Sequence, residues 1–174
     1  MSNSPKRIVR YRELKWTYEL SIQGFDEEDI EERKFLLDML KYLSMDKPVF
    51  MSFFMGSIDT INKQAVMFSY DNPNKRYSGR LQIDIDRLII SEQLFENRNT
   101  AFYIFNQKLH WNDFLKMKDV SSQRAFKETK LAVVVNIYDL DGLSITLKKT
   151  GTINLEDVLE KFRHEGYLIK KIIF

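Results

Sequence analysis

The chain has 174 residues, 44% of them apolar and 30% charged, with no cysteine and a formal net charge of +2. These are the proportions of a water-soluble globular protein, and no run approaches the roughly 20 apolar residues of a membrane span. The missing cysteine excludes disulfides, thiolate catalysis and cysteine zinc sites and makes the cytoplasm the expected setting, while near-neutrality removes any global basic field.

The opening Met-Ser-Asn-Ser-Pro-Lys-Arg has no apolar core behind its charges, so it is not expected to be a secretory signal; residues 1–6 read as a mobile tail, with 7–174 as a single domain. From Leu14 to Ile22 apolar and polar residues alternate, which predicts a long half-buried strand. Its leading end is basic, with Lys6, Arg7, Arg10, Arg12 and Lys15 opposed only by Glu13, and Tyr11 and Trp16 interleaved. Gly24 breaks the strand, and Asp26 is the expected cap of a helix to about Ser44 whose acidic first turns match the helix dipole. Its apolar residues cover well over half the circumference, so it is expected to be packed on more than one side.

Strands are predicted at Val49–Met55, Gln64–Tyr70, Arg80–Ile90 and Ala101–Phe105. Residues 106–129 fit neither period well, with short helices expected at Lys108–Lys118 and after Ser121 or Ser122. Leu131–Ile137 is apolar on both faces, as a strand covered on both sides requires. Asp141-Gly142 then signals a two-residue hairpin turn that would set Leu140 opposite Leu143 and Tyr138 opposite Ile145.

The last helix is the best specified, at about 154–165. Asn154 is its N-cap, Leu155, Val158, Leu159 and Phe162 form one apolar stripe, and Gly166 sits at the C′ position with Tyr167 free to pack back on Phe162. A final strand closes the chain. The reading is an α+β fold, with a mostly antiparallel sheet of about seven to eight strands and two main helices, about 26–44 and 154–165, packed on it.

The motif search is largely negative. The six glycines are isolated, so neither phosphate-binding glycine pattern occurs. His110 and His164 lie outside metal-ligating spacings, and His164 sits where a cation suits a helix C-terminus. Asp139-Leu140-Asp141-Gly142 fails as a calcium loop, since position 137 is Ile and position 148 is Lys. No cofactor is expected. Asp84 and Asp86, read as one strand face, are the candidate ligands for a metal-dependent phosphoesterase, against the plainer reading of a solvated strand.

Two surfaces remain. One is Lys6–Trp16. The other is 108–130, with Lys108, His110, Trp111, Phe114, Lys116, Lys118, Arg124 and Lys127. Basic residues with aromatics can track a phosphate backbone and stack bases, and can equally anchor a protein interface. The first expectation is a non-enzymatic interaction or regulatory protein with a protein partner; nucleic acid is the alternative partner, and the phosphoesterase comes third. A homodimer by edge-strand pairing at the C-terminal strand or at Arg80–Ile90 is a further expectation. With only four alanines and frequent Lys, Ile, Phe and Asn, the composition points to an AT-rich coding genome, such as a low-GC bacterium, its phage or a mobile element.

Overall fold

The structure is a computed structural model that describes residues 6–54, 65–69, 78–86, 100–117, 123–138 and 142–173. Ile8–Glu13 (β1) and Thr17–Gln23 (β2) form an antiparallel hairpin in which Ile8 faces Gln23 and Glu13 faces Tyr18. The expected single strand from Leu14 to Ile22 is therefore corrected: the basic lead is a strand of its own. The chain reverses at Leu14-Lys15-Trp16, where the Leu14 amide donates to the Thr17 carbonyl at 2.8 Å. Gly24 ends β2 with φ +78°, and a Cβ there would stand 2.9 Å from the Lys6 carbonyl oxygen, so only glycine fits.

Helix α1 spans Ile30–Ser44, capped by Asp29 rather than Asp26: the Glu31 amide donates to Asp29 Oδ1 at 2.8 Å. Asp26 instead accepts from the Glu28 amide at 3.0 Å in a local turn one step earlier. The chain continues through Val49–Phe54 (β3), Ala65–Ser69 (β4), Ser78–Ile83 (β5) and Thr100–Phe105 (β6). Short helices follow at Trp111–Lys116 (α2) and Gln123–Glu128 (α3). Leu131–Tyr138 (β7), Gly142–Lys148 (β8), Leu155–His164 (α4) and Leu168–Lys171 (β9) complete it.

Among the described residues all nine strands join one sheet, in the order β4-β5-β3-β6-β7-β8-β2-β1-β9. Every pairing is antiparallel except that of β1 with β9. The α+β reading and the mostly antiparallel sheet hold. The β7–β8 register does not. Tyr138 pairs with Gly142, Ile137 with Leu143 and Val135 with Ile145, so three residues separate the paired ends, and Leu143 and Ile145 face other partners than those expected. Residues 139–141 lie outside the described residues. Strand β5 also corrects an expectation, since it lies between β4 and β3 and is not an edge; β9 is.

The two faces carry separate cores. On one, α1 and α4 pack over Val9, Leu20, Ile22, Val133, Val135, Ile145 and Leu147. Helix α1 touches both the sheet and α4, where the Phe35 and Phe162 rings meet at 5.4 Å, so the expectation of packing on more than one side holds. On the other face, α2 and α3 cover Phe50, Ala101, Tyr103, Phe105 and Val134. Because side chains alternate along a strand, Phe102 and Ile104 feed the first core while Tyr103 and Phe105 feed the second. A strand apolar on both faces is what this arrangement demands of β6 and β7.

The ends of α4 match the sequence closely. Asn154 Oδ1 accepts from the Glu156 amide at 2.8 Å. Gly166 takes φ +88°, its amide donates to the Arg163 carbonyl at 2.9 Å, and the Tyr167 amide donates to the Phe162 carbonyl at 3.0 Å. Those two bonds are the Schellman pattern, with Tyr167 packed edge-on against Phe162 at 5.3 Å. Among the described residues no helix is long and apolar enough to cross a membrane.

Candidate nucleic-acid interface

Helices α2 and α3 cover only part of their face. Past them, the strands β8, β2, β1 and β9 turn a second set of side chains the same way. Val9 and Tyr11 point to the α1–α4 core, so Ile8, Arg10 and Arg12 lie on the opposite face. By the same alternation β2 contributes Glu19, Ser21 and Gln23, β8 contributes Ser144 and Thr146, and β9 contributes Leu168 and Lys170. Strand register aligns Lys170, Arg10, Ser21, Ser144 and Asn136 in one row across five strands. Ser21 and Lys170 are exposed and the rest of the row is half-buried; Gln23, two residues further along β2, is exposed as well. This is a polar, basic stretch of sheet.

The β1–β2 turn closes one end of it. Lys15 Nζ lies over the Trp16 ring at 5.2 Å from its centre. Lys127 Nζ, from α3, lies over the same ring at 5.5 Å. Gln123 Nε2 donates to Thr17 Oγ1 at 2.7 Å, and Lys148 Nζ donates to the Thr129 carbonyl at 3.1 Å, which fix α3 beside the turn. Two basic stretches more than a hundred residues apart in sequence thus meet at Trp16.

Some of this charge is already partnered. Arg12 Nη2 contacts Glu19 at 3.1 and 3.2 Å, and Arg10 donates to Gln23 Oε1. Arg124 pairs with Glu128 at 2.9 Å one helical turn away. The Arg10 and Arg124 contacts are solvent-exposed and weak, so a phosphate can replace them at small cost, whereas the Arg12–Glu19 pair is part-buried. Charge is also segregated. From Asp26 to Ser44 there are seven acidic residues against three basic, and from Leu155 to Glu165 four against two. Both stretches belong to the face opposite Arg10 and Lys127. The small net charge conceals an acidic helical side and a basic sheet side, an arrangement that orients an approaching polyanion.

The other expected site residues fall elsewhere. Arg7 works inside the fold. Its guanidinium forms an ion pair with Glu32, donates to the Glu165 carbonyl at 2.6 Å and lies 4.3 Å from the Tyr167 ring centre. Glu32 is 6% exposed and also accepts from Tyr167 Oη at 3.3 Å. Burial, then the Glu32 carboxylate, push the Tyr167 hydroxyl up to about 12. Phe114 is fully buried, 4.5 Å from Phe50, and Trp111 stacks on the same Phe50 ring at 6.4 Å, so the aromatics of 108–130 build the second core rather than a contact surface. His110 is exposed at the N-cap of α2 without a side-chain cap bond. Lys6 and Lys116 are exposed, and Lys118 lies outside the described residues. Lys108 lines a separate cleft of about 490 Å³ with Lys41, Lys47, Asp84 and Asp86.

Asp84 and Asp86 do not share a strand face. β5 ends at Ile83, and the two form a turn in which the Asp86 amide donates to Asp84 Oδ1 at 3.1 Å. Among the described residues no third carboxylate or histidine joins them to make a metal-binding group. Arg80, on β5, donates to the Phe114 carbonyl at 2.7 Å.

Sequence reasoning missed Lys170, Ser21, Ser144 and Asn136, because only strand order puts them in one row. No protein-family model matches the chain, and no curated protein or solved structure matches it closely enough to indicate kinship.

Proposed function

We propose that this is a non-enzymatic regulatory protein of the cytoplasm that binds a nucleic acid on the basic half of its sheet. The observation that carries the reading is the meeting of Lys15 and Lys127 over Trp16, beside Arg10 and Arg12 on the open face. Binding energy comes from counterion release as these cations meet phosphates. The aromatic ring adds to it. An exposed cation–π contact contributes about 0.5–1 kcal/mol, whereas stacking a base contributes about 1–3 kcal/mol. A base that displaces one ammonium from Trp16 therefore gains, and the displaced lysine becomes available to a phosphate.

Charge reversal tests the location. Lys127→Glu is expected to weaken binding of a labelled oligonucleotide by at least tenfold. Lys161→Glu, on the acidic helical side over Tyr42, is expected to leave it unchanged. Equal effects of the two would remove this face from the proposal.

The alternative, a protein partner, is favoured by one observation. Strand β9 is a sheet edge; Leu168 within it is 57% exposed and Ile173 just after it 85% exposed. Edge pairing would add a strand from another chain or from a second copy. Sedimentation velocity across a hundredfold concentration range reads this directly. A self-association lost in Leu168→Asp supports edge pairing, and a monomer throughout excludes the homodimer.

A further inference from the structure

We infer that the nucleic acid is single-stranded and that one of its bases stacks on Trp16. The inference rests on the nucleic-acid reading above and adds the form of the ligand and the residue that selects it. A duplex is read by an element that enters a groove, a helix or a two-stranded ribbon in the major groove above all. Neither short helix on this face is free to do so. α2 is held down by Phe114 and α3 by Ala125 and Phe126, all buried in the second core. The open sheet beyond them is mainly polar, with Ile8 and Leu168 the apolar residues of its β1–β9 side. Its row from Lys170 to Asn136 crosses five strands, about 19 Å at the usual strand spacing.

A flexible single strand suits that surface, because its backbone can follow a polar row while its bases turn out of line. Unpaired bases also offer what a duplex withholds, a free π face. Trp16 is the aromatic ring placed to receive one. It is half-buried, so its body is anchored, and it sits at the turn where the two basic stretches meet. Lys15 and Lys127 are within reach of the phosphates on either side of a base stacked there. The row itself is Lys170, Arg10, Ser21, Ser144 and Asn136, without an aromatic ring, which fits one stacking platform and a sugar–phosphate track rather than a series of aromatic base pockets.

The test uses the full chain carrying Trp111→Phe, so that Trp16 is the only tryptophan. A ten-nucleotide thymidine strand and a ten-base-pair duplex are titrated at the same salt. The single strand is expected to quench Trp16 fluorescence and to bind at least tenfold more tightly than the duplex. Trp16→Ala is expected to weaken single-strand binding by about ten- to a hundredfold, and Trp16→Phe to retain most of it with the same thermal midpoint. Equal affinity for both forms, or single-strand binding that leaves Trp16 unquenched and survives in Trp16→Ala, overturns the stacking inference and leaves the basic face standing. Binding of neither form overturns both.

Discussion

Arg7→Met separates a cation that holds the fold from one that is open to a partner. Glu32 is 6% exposed, and its carboxylate is met by the Arg7 guanidinium, the Asp26 amide and the Tyr167 hydroxyl. Methionine matches much of the arginine stem but removes the countercharge. It leaves a buried carboxylate with two neutral donors, the kind of loss that costs about 3–5 kcal/mol in buried pairs. Arg7 is 33% exposed, so water partly replaces it and the lower end applies. The bond to the Glu165 carbonyl is lost as well. Urea unfolding at pH 7 is expected to show a loss of about 3 kcal/mol with an unchanged m-value. Glu32→Gln in the same chain removes the stranded charge and is expected to recover about half of that loss. A single-mutant loss below about 1 kcal/mol, or no recovery in the double mutant, would refute the reasoning. Oligonucleotide affinity is expected to stay within twofold in the folded Arg7→Met protein, because that side chain faces inward.

Gly24→Ala places a Cβ 2.9 Å from the Lys6 carbonyl at φ +78°, and is expected to cost about 1–3 kcal/mol; an unchanged thermal midpoint would contradict the close approach. Phe114→Ala empties the centre of the second core and is expected to cost about 3–5 kcal/mol, whereas a surface aromatic would cost little. Tyr167 supplies a pH signature. Its hydroxyl is raised to about 12, so the unfolded chain loses this proton first as pH rises. The stabilisation is complete below pH 10 and is lost as pH climbs through 12, by about 3 kcal/mol at most. Tyr167→Phe is expected to flatten that alkaline decline, and an identical decline in both proteins would refute the assignment.

The parts of this fold that are legible in the sequence are those set by neighbours in the chain. Asn154, the Leu155–Phe162 stripe and Gly166 each act within a few residues, and α4 forms as they dictate. Where local signals compete, tertiary structure decides. Asp26 and Asp29 both suit an N-cap, and Asp26 is drawn off into its own turn. The β1–β2 reversal runs through Leu14-Lys15-Trp16, which lacks the glycine, asparagine or proline that marks most turns. Asp141-Gly142 carries a two-residue turn signal, yet the ladder closes at Tyr138–Gly142. The segment 106–129 reads as irregular because each of its helices has six residues and too few apolar positions to show a period. Phe114 and Phe126 are nonetheless central to a core.

The candidate site was only half legible for the same reason. Its basic residues are visible as two stretches, but their meeting depends on the order β8-β2-β1-β9 and on α3 lying beside the first hairpin. Conversely, Arg7, Trp111 and Phe114 have the composition of a binding surface and are used for cohesion instead. Net charge misleads too, since acidic helices on one face cancel a basic sheet on the other.

The most direct measurement is the salt dependence of oligonucleotide binding, by fluorescence anisotropy from low to physiological ionic strength. Arg10, Arg12, Lys15 and Lys127 on one face predict that log K falls with log salt at a slope of about −2 to −3 for a single strand. Replacing Lys15 and Lys127 by alanine is expected to reduce that slope by about one and a half. Absence of binding at low salt, or binding indifferent to salt and to both lysines, would contradict the account.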